Sequence, residues 1–555
     1  MLMIIPNHIL EINNLSIGLP KRADRKYAVE NANIKVSRGE VLCVVGESGS
    51  GKSVMTSAIL NDIAPGLSLL DGEVLFKGED ILKFNNRKLN ELRGSRISMI
   101  YQEPMAALNP SIRIGKQVEE VFKLHRPEVS EEERKKETIK LFKQMKLPSP
   151  ERIYLSYPHQ VSGGQCQRIV IAMALACKPD VLIADEPTTA LDVTTQAEIL
   201  NLINDLKEIY DNATIFITHD FGVVADIADR VAVMCQGKII EQGSKAEVLL
   251  KPQEPYTKLL VDAMPLLETK RDPNEVSIDD QVVEVCALNK VYRTGPQTVN
   301  ALVDANFSLQ RGETLGVVGE SGSGKSTLAK TIIRLIEPTS GSVIINNKDF
   351  LSLTKEQLVS ARKDIQMIFQ DPFGSLNPCQ TVGYMITRGL LLQGTPSNKA
   401  WSKAKELLGQ VGLGEASMKR KPISFSGGQR QRIGIARALS MQPDVVVADE
   451  SVSALDLSVQ KQVLRLMDEL QNKYQMAMIF ITHDLRVAAQ ISDYIAVMEK
   501  GAIVEYGTAR SIFEAPQHEY TKKLIDAAPG RTWSPPRLDP EEAWKITKEL
   551  EALGN

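Results

Sequence analysis

The chain alternates between two kinds of apolar pattern. Val41 to Val45 and Val181 to Ala184 are continuous apolar runs with no polar alternation, and they predict strands buried on both faces of a mainly parallel sheet. Glu131 to Leu147 is mostly charged, yet Ile139, Phe142 and Met145 recur at helical spacing, which predicts an amphipathic helix with a solvated outer face. A further short charged helix is expected near Glu541 to Leu553, after Pro535 and Pro536, as a solvated appendage. The opening stretch up to Ile12 reads as a first strand, because it lacks the basic segment and small-residue cleavage site of a secretion signal. The longest apolar runs, such as Ile169 to Cys177, are half the length a membrane span requires. Together these patterns predict an α/β fold with helices on both faces of the sheet.

The pattern repeats. GESGSGKS occupies Gly46 to Ser53 and again Gly319 to Ser326; SGGQ begins at Ser162 and Ser426; an A-D-E run ends at Glu186 and Glu450; and ITHD ends at Asp220 and Asp484. The offset between copies is 273 residues at Lys52 and Lys325, 268 at Gln102 and Gln370, and 264 from the SGGQ onward. Two homologous domains in tandem follow, each carrying a C-terminal extension, with PQEPYTKLLVDAMP in the first and PQHEYTKKLIDAAP in the second. The polar, aromatic-free stretch Glu268 to Gln281 reads as the linker between them. The expected division is therefore 1–267 for the first domain, 268–281 for the linker, 282–530 for the second domain and 531–555 for the tail.

Composition narrows the function classes. With 555 residues, 43% of them hydrophobic and 24% charged, the chain has the makeup of a multidomain globular protein. Its net charge of −3 lacks the basic excess of a nucleic-acid binder, so no nucleic-acid partner is expected. Six scattered cysteines without a C-x-x-C pair fit reduced thiols and indicate neither zinc nor an iron–sulfur cluster.

Each GESGSGKS follows a buried strand and opens a helix, the context in which a glycine-rich loop wraps phosphate oxygens with its amides. Gly46, Glu47, Ser48, Gly49, Ser50, Gly51, Lys52 and Ser53, and in the second copy Gly319, Glu320, Ser321, Gly322, Ser323, Gly324, Lys325, Ser326 and Thr327, are the expected nucleotide-binding residues. Lys52 and Lys325 reach the β and γ phosphates, and Ser53 and Ser326 suit a Mg2+ ligand. Two adjacent acids at a strand end are costly without a cation or substrate. Asp185 and Asp449 are therefore expected in the Mg2+ shell, and Glu186 and Glu450 as general bases toward water. His219 and His483, each after a second buried strand, are placed to bond the γ-phosphate.

At SGGQ the sequence resembles the ATP-binding cassette (ABC) ATPases over nearly its whole length. The resemblance implies tandem P-loop cassettes, each a RecA-like mixed sheet with a helical signature subdomain. It implies ATP hydrolysis with Mg2+, and it assigns Gln102 and Gln370 to the Q-loop, in contact with nucleotide and metal. Ser162, Gly163, Gly164 and Gln165, with Ser426, Gly427, Gly428 and Gln429, become the signature; Ala190 to Asp192 and Ala454 to Asp456 become the loop after the catalytic glutamate. It further implies that the two halves form an intramolecular cassette pair, Lys52 sharing a nucleotide with Ser426 to Gln429 and Lys325 with Ser162 to Gln165. Tyr292 matches the adenine-stacking aromatic of the second half, and Tyr27 is the first half's nearest candidate.

YQEPMAALNP, FQDPFGSLNP and the EPYT and HEYT segments resemble the dipeptide, oligopeptide and nickel importers. That similarity implies peptide uptake through two membrane permeases, fed by an extracytoplasmic solute-binding protein, from the cytoplasmic face of the inner membrane. Glutathione, nickel chelates, opines and peptide-like antibiotics are alternative cargoes, and a tandem ATPase acting on ribosomes or DNA is the rival class. The halves differ where Val54 faces Thr327, Cys166 faces Arg430 and Pro187 faces Ser451.

Overall fold

The computed structural model describes residues 8–21, 23, 25–189, 191–269, 280–371, 373–453 and 455–553, apart from 295 and 296. Most of the predicted linker, and Ala190 and Ala454 of the two predicted loops, lie outside the described residues. The chain forms two compact units. One comprises the chain up to Leu191, Thr195–Met264 and the segment from Thr532 onward; the other comprises Pro265–Arg531 and Asp192–Thr194.

The first unit carries two sheets. β1 (Leu10–Gly18), β2 (Tyr27–Val36), β4 (Ser68–Phe76) and β5 (Glu79–Asp80) form an antiparallel sheet in the order β2-β1-β4-β5. β3 (Val41–Val45), β6 (Ile97–Ile100), β7 (Val181–Asp185), β8 (Ala213–Thr218), β9 (Arg230–Cys235) and β10 (Lys238–Ser244) form the other, in the order β10-β9-β3-β8-β7-β6. It is parallel except for the antiparallel β9–β10 edge, as a mixed sheet requires. β3, β7 and β8 are buried at every position, so the unalternating apolar runs report strands covered on both faces.

A core joins the two sheets. Ile12, Val29 and Ile34 of the antiparallel sheet meet Leu42 and Val44 of β3, together with Met55 and Ile59 of the helix Lys52–Ile59. This packing fixes the loop between β3 and that helix from both sides. The antiparallel sheet is a finding beyond the sequence reading, which described only the mixed sheet.

The second unit repeats the plan. β11 (Gln281–Thr294), β12 (Gln297–Gln310), β14 (Ser340–Ile345) and β15 (Lys348–Asp349) form the antiparallel sheet. β13 (Thr314–Val318), β16 (Ile365–Ile368), β17 (Val445–Asp449), β18 (Ala477–Ile481), β19 (Tyr494–Glu499) and β20 (Ala502–Thr508) form the mixed one.

The charged pattern of the first unit folds as the helix Glu131–Gln144, opened by a capping box in which Ser130 and Glu133 satisfy each other's backbone amides. Its buried face is Thr138, Leu141, Phe142 and Met145; Ile139 is only partly covered. Phe142 and Met145 are thus buried as predicted, while Thr138 and Leu141 take the place expected for Ile139.

The tail is not a solvated appendage. Arg537 donates through Nη1 to the carbonyl of Asp262 (2.6 Å) and through Nη2 to that of Met264 (2.9 Å), and the Leu538 amide donates to Asp262 Oδ1 (3.2 Å). The terminal helix Pro540–Leu553 then packs on the helix Pro255–Ala263 and buries Ile546. Its charge pattern concealed this, because the seating described rests on Ile546 and on backbone carbonyls of the buried Asp262 and Met264, which no periodicity shows. Among the described residues, no helix is long and apolar enough to cross a membrane.

Candidate nucleotide sites

In each unit the buried strand ends at a glycine and the chain curls over the N-terminus of the next helix. Gly51 and Gly324 cap those helices with φ of 106° and 107°, a left-handed conformation. A Cβ there would lie 2.4 Å from the Ala28 carbonyl oxygen in one unit and 2.5 Å from that of Ala301 in the other. Only glycine lets the loop come so close to the antiparallel sheet.

Lys52 and Lys325 are buried beneath these loops. Lys52 Nζ donates to the carbonyls of Gly46 (2.8 Å) and Glu47 (2.9 Å), and Lys325 Nζ to those of Gly319 and Glu320 (both 2.8 Å). Burial holds the Lys325 ammonium below the ordinary lysine range. A buried cation bonded to neutral loop oxygens favours an anionic ligand, which would repay its lost hydration.

The paired acids divide the work by geometry. Asp185 Oδ1 accepts from Ser53 Oγ at 3.2 Å, and Asp449 Oδ1 from Ser326 Oγ at 3.1 Å. Burial raises the pKa of both aspartates against these donations, a cost that a cation at the hydroxyl–carboxylate pair would remove. Among the described residues, no group of three or more His, Cys, Asp and Glu could hold a metal by itself. One hydroxyl and one carboxylate suit a Mg2+ ion that takes its other ligands from phosphate and water.

Glu186 and Glu450, with φ of 45° and 44°, occupy the left-handed region that non-glycine residues seldom adopt. In this posture Glu186 Oε2 accepts from Gln102 Nε2 (3.1 Å) and Thr189 Oγ1 (2.9 Å), while Oε1 faces His219 Nδ1 (3.2 Å). Glu450 meets Gln370 Nε2 at 2.7 Å and His483 Nδ1 at 3.5 Å. Burial would raise the Glu186 pKa, but the His219 bond and charge and the Thr189 bond outweigh it, leaving the carboxyl below its ordinary range. Glu450 is lowered chiefly by the His483 hydrogen bond. The same contacts raise both histidines.

Thr189 escaped the sequence reading, since nothing but its place three residues after Glu186 marks it. Its counterpart by the 264-residue offset, Ser453, donates instead to the Glu450 backbone carbonyl (3.0 Å).

Ser162 and Ser426 cap the helices Gly163–Leu175 and Gly427–Leu439 through reciprocal bonds with Gln165 and Gln429. The first-turn amides of each helix have no intrahelical acceptor, a feature of the SGGQ end that suits an anion. Behind it the halves differ. Arg430 donates to the carbonyls of Pro422 (2.8 Å) and Ile423 (3.3 Å) and lies 3.7 Å from the Phe373 ring centroid. Cys166 instead places its sulfur 3.2 Å from that of Met105.

Tyr292 lies on β11, 36% exposed, and Tyr27 opens β2. The 273-residue offset puts Leu19 opposite Tyr292, so the two tyrosines are not equivalents.

Comparison with known proteins decides the family. The family described as "ABC transporter" matches residues 29–189 and 302–453, which hold both phosphate loops and both acid pairs. The chain belongs to the ABC transporter family. A second family, "Oligopeptide/dipeptide transporter, C-terminal region", matches residues 240–294 and 504–546 of this ABC protein. The glutathione import ATP-binding protein GsiA of Salmonella paratyphi A is 42% identical, covering 94% of this chain and 89% of the relative. GsiA of Pectobacterium atrosepticum is 41% identical, at 95% and 90% coverage. A solved dimeric ATP-binding cassette in a post-hydrolysis state, bound to ADP and Pi, is 30% identical over 41% of this chain and 99% of its own, at a TM-score of 0.38. The protein is an ABC-type, nucleotide-binding ATPase of the importer type, with two cassettes in one chain.

Proposed function

We propose that this ATPase powers uptake of peptides through two membrane permeases supplied by an extracytoplasmic solute-binding protein, working at the cytoplasmic face of the inner membrane. The reading is carried by the C-terminal region of oligopeptide and dipeptide transporters, which is matched once after each cassette. Glutathione, a tripeptide, is the specific cargo favoured by the names of the relatives.

Within each unit the proposed division of labour is as follows. The loops Gly46–Ser53 and Gly319–Ser326 bind the phosphates of ATP, with Lys52 and Lys325 moving from loop carbonyls to phosphate oxygens. Ser53 with Asp185, and Ser326 with Asp449, would hold Mg2+, which would supply neutralisation of phosphate charge. Gln102 and Gln370 adjoin that shell. Glu186 and Glu450 accept a proton from water, and His219 and His483 orient the carboxylates.

The test is uptake of labelled glutathione, dipeptide and tripeptide, with nickel as a control, in cells making the wild type or the Glu186→Gln/Glu450→Gln double variant. Peptide or glutathione uptake lost only in the double variant supports the proposal. Uptake of both unchanged in that variant refutes it, and loss of nickel uptake alone would replace the cargo.

A further inference from the structure

The extension after each mixed sheet reaches back to the phosphate loop. In the first unit Glu241 of β10 accepts from the amides of Gln253 (2.8 Å) and Glu254 (3.2 Å), fixing the start of the helix Pro255–Ala263. Tyr256, in the first turn of that helix, accepts from the backbone N–H of Glu47 at 3.3 Å. The second unit repeats each link with a different sequence. Glu505 of β20 accepts from Gln517 (2.7 Å) and His518 (3.1 Å), and Tyr520 accepts from the N–H of Glu320 at 3.1 Å. Burial pushes the Tyr520 phenol up to about 12 and raises that of Tyr256, so both stay protonated.

Glu47 and Glu320 are thus gripped at both ends of the residue: N–H by tyrosine and carbonyl by lysine. A lysine that turns to a phosphate gives up its carbonyl. That move leaves the bond from the Glu47 or Glu320 N–H to its tyrosine in place.

We infer that the hydroxyls of Tyr256 and Tyr520 are positioning groups that hold the phosphate loops in their binding shape from the C-terminal extension. The extension is therefore wired to nucleotide affinity. This rests on the assignment of Gly46–Ser53 and Gly319–Ser326 to phosphate.

The test compares the full-length wild type with Tyr256→Phe/Tyr520→Phe, which removes two hydroxyls and keeps both rings. Gln253→Ala/Gln517→Ala, at exposed positions of the same segments, is the control. The readouts are the Kd of a non-hydrolysable ATP analogue, KM and kcat for ATP, and the thermal midpoint. The expected result is a Kd and KM raised about 3- to 10-fold in the Phe variant, with kcat and midpoint nearly unchanged, and no change in the control. Unchanged Kd in the Phe variant, an equal rise in the control, or a Kd change that tracks a lowered midpoint would each overturn the inference. A wild type without affinity for the analogue would overturn the loop assignment, and the inference with it.

Discussion

The carboxamide of Gln102 donates to Glu186 Oε2 at 3.1 Å, and Gln370 repeats the bond to Glu450 at 2.7 Å. A Q-loop side chain therefore restrains the acid proposed to take the proton. Gln102→Ala/Gln370→Ala is expected to lower kcat by roughly 10- to 100-fold through misplacement of the carboxylates, with analogue Kd little changed. Steady-state ATPase assays and equilibrium binding check this; an equal loss in both would make the glutamines nucleotide-holding groups instead.

Both units keep a complete set of acid, histidine and glutamine, so two hydrolytic sites are predicted. Glu186→Gln and Glu450→Gln should each remove at least about half of the ATPase rate, and the double variant should lose about 10²- to 10⁴-fold. Full activity in either single variant would show that its glutamate does not serve hydrolysis.

The glutamate–histidine pairs link stability to pH. His219 and His483 are raised from 6.5, so their contribution is complete below pH 6.5 and fades as pH climbs through the raised values. Glu186 and Glu450 are lowered from 4.5, so theirs is complete above pH 4.5 and fades as pH falls through the lowered values. Melting of the nucleotide-free protein should therefore show the pair contribution intact between these limits. Above pH 6.5 the wild-type midpoint should fall more steeply than that of His219→Gln/His483→Gln; parallel curves would contradict the pairing.

Arg430 ties the signature helix of the second unit to Phe373 and to the carbonyls of Pro422 and Ile423. Arg430→Cys, which copies the first unit, should cost about 1–3 kcal/mol in denaturant unfolding, because the guanidinium's contact with the Phe373 ring and its charged donations to the Pro422 and Ile423 carbonyls are lost. Met105→Leu, at a half-exposed position, should stay within about 0.5 kcal/mol.

The sequence was most readable where chemistry and burial coincide. Val41–Val45 could only be a buried strand, and the Gly-Lys-Ser after it could only be understood at a helix start. Acids at strand ends likewise announced a charge to be met. Long-range seating was hidden. Thr189 reaches Glu186 because Glu186 adopts a left-handed backbone, which no residue pattern reveals. In the helix Glu131–Gln144, Leu141 and not Ile139 joins Phe142 and Met145 in the core, and one apolar residue substitutes for another in any periodicity. The tyrosines of EPYT and HEYT were visible as a family mark. Their reach to Glu47 and Glu320 depends on how Glu241 and Glu505 aim two helices.

Arg537 closes on the carbonyl of Asp262 across 275 residues of chain. A protein made from its N-terminus exposes Asp262 and Met264 long before the arginine is translated. The first unit consequently waits, with that surface open, until Arg537 has been made, and a ribosome that stalls anywhere in the second unit leaves it unfinished.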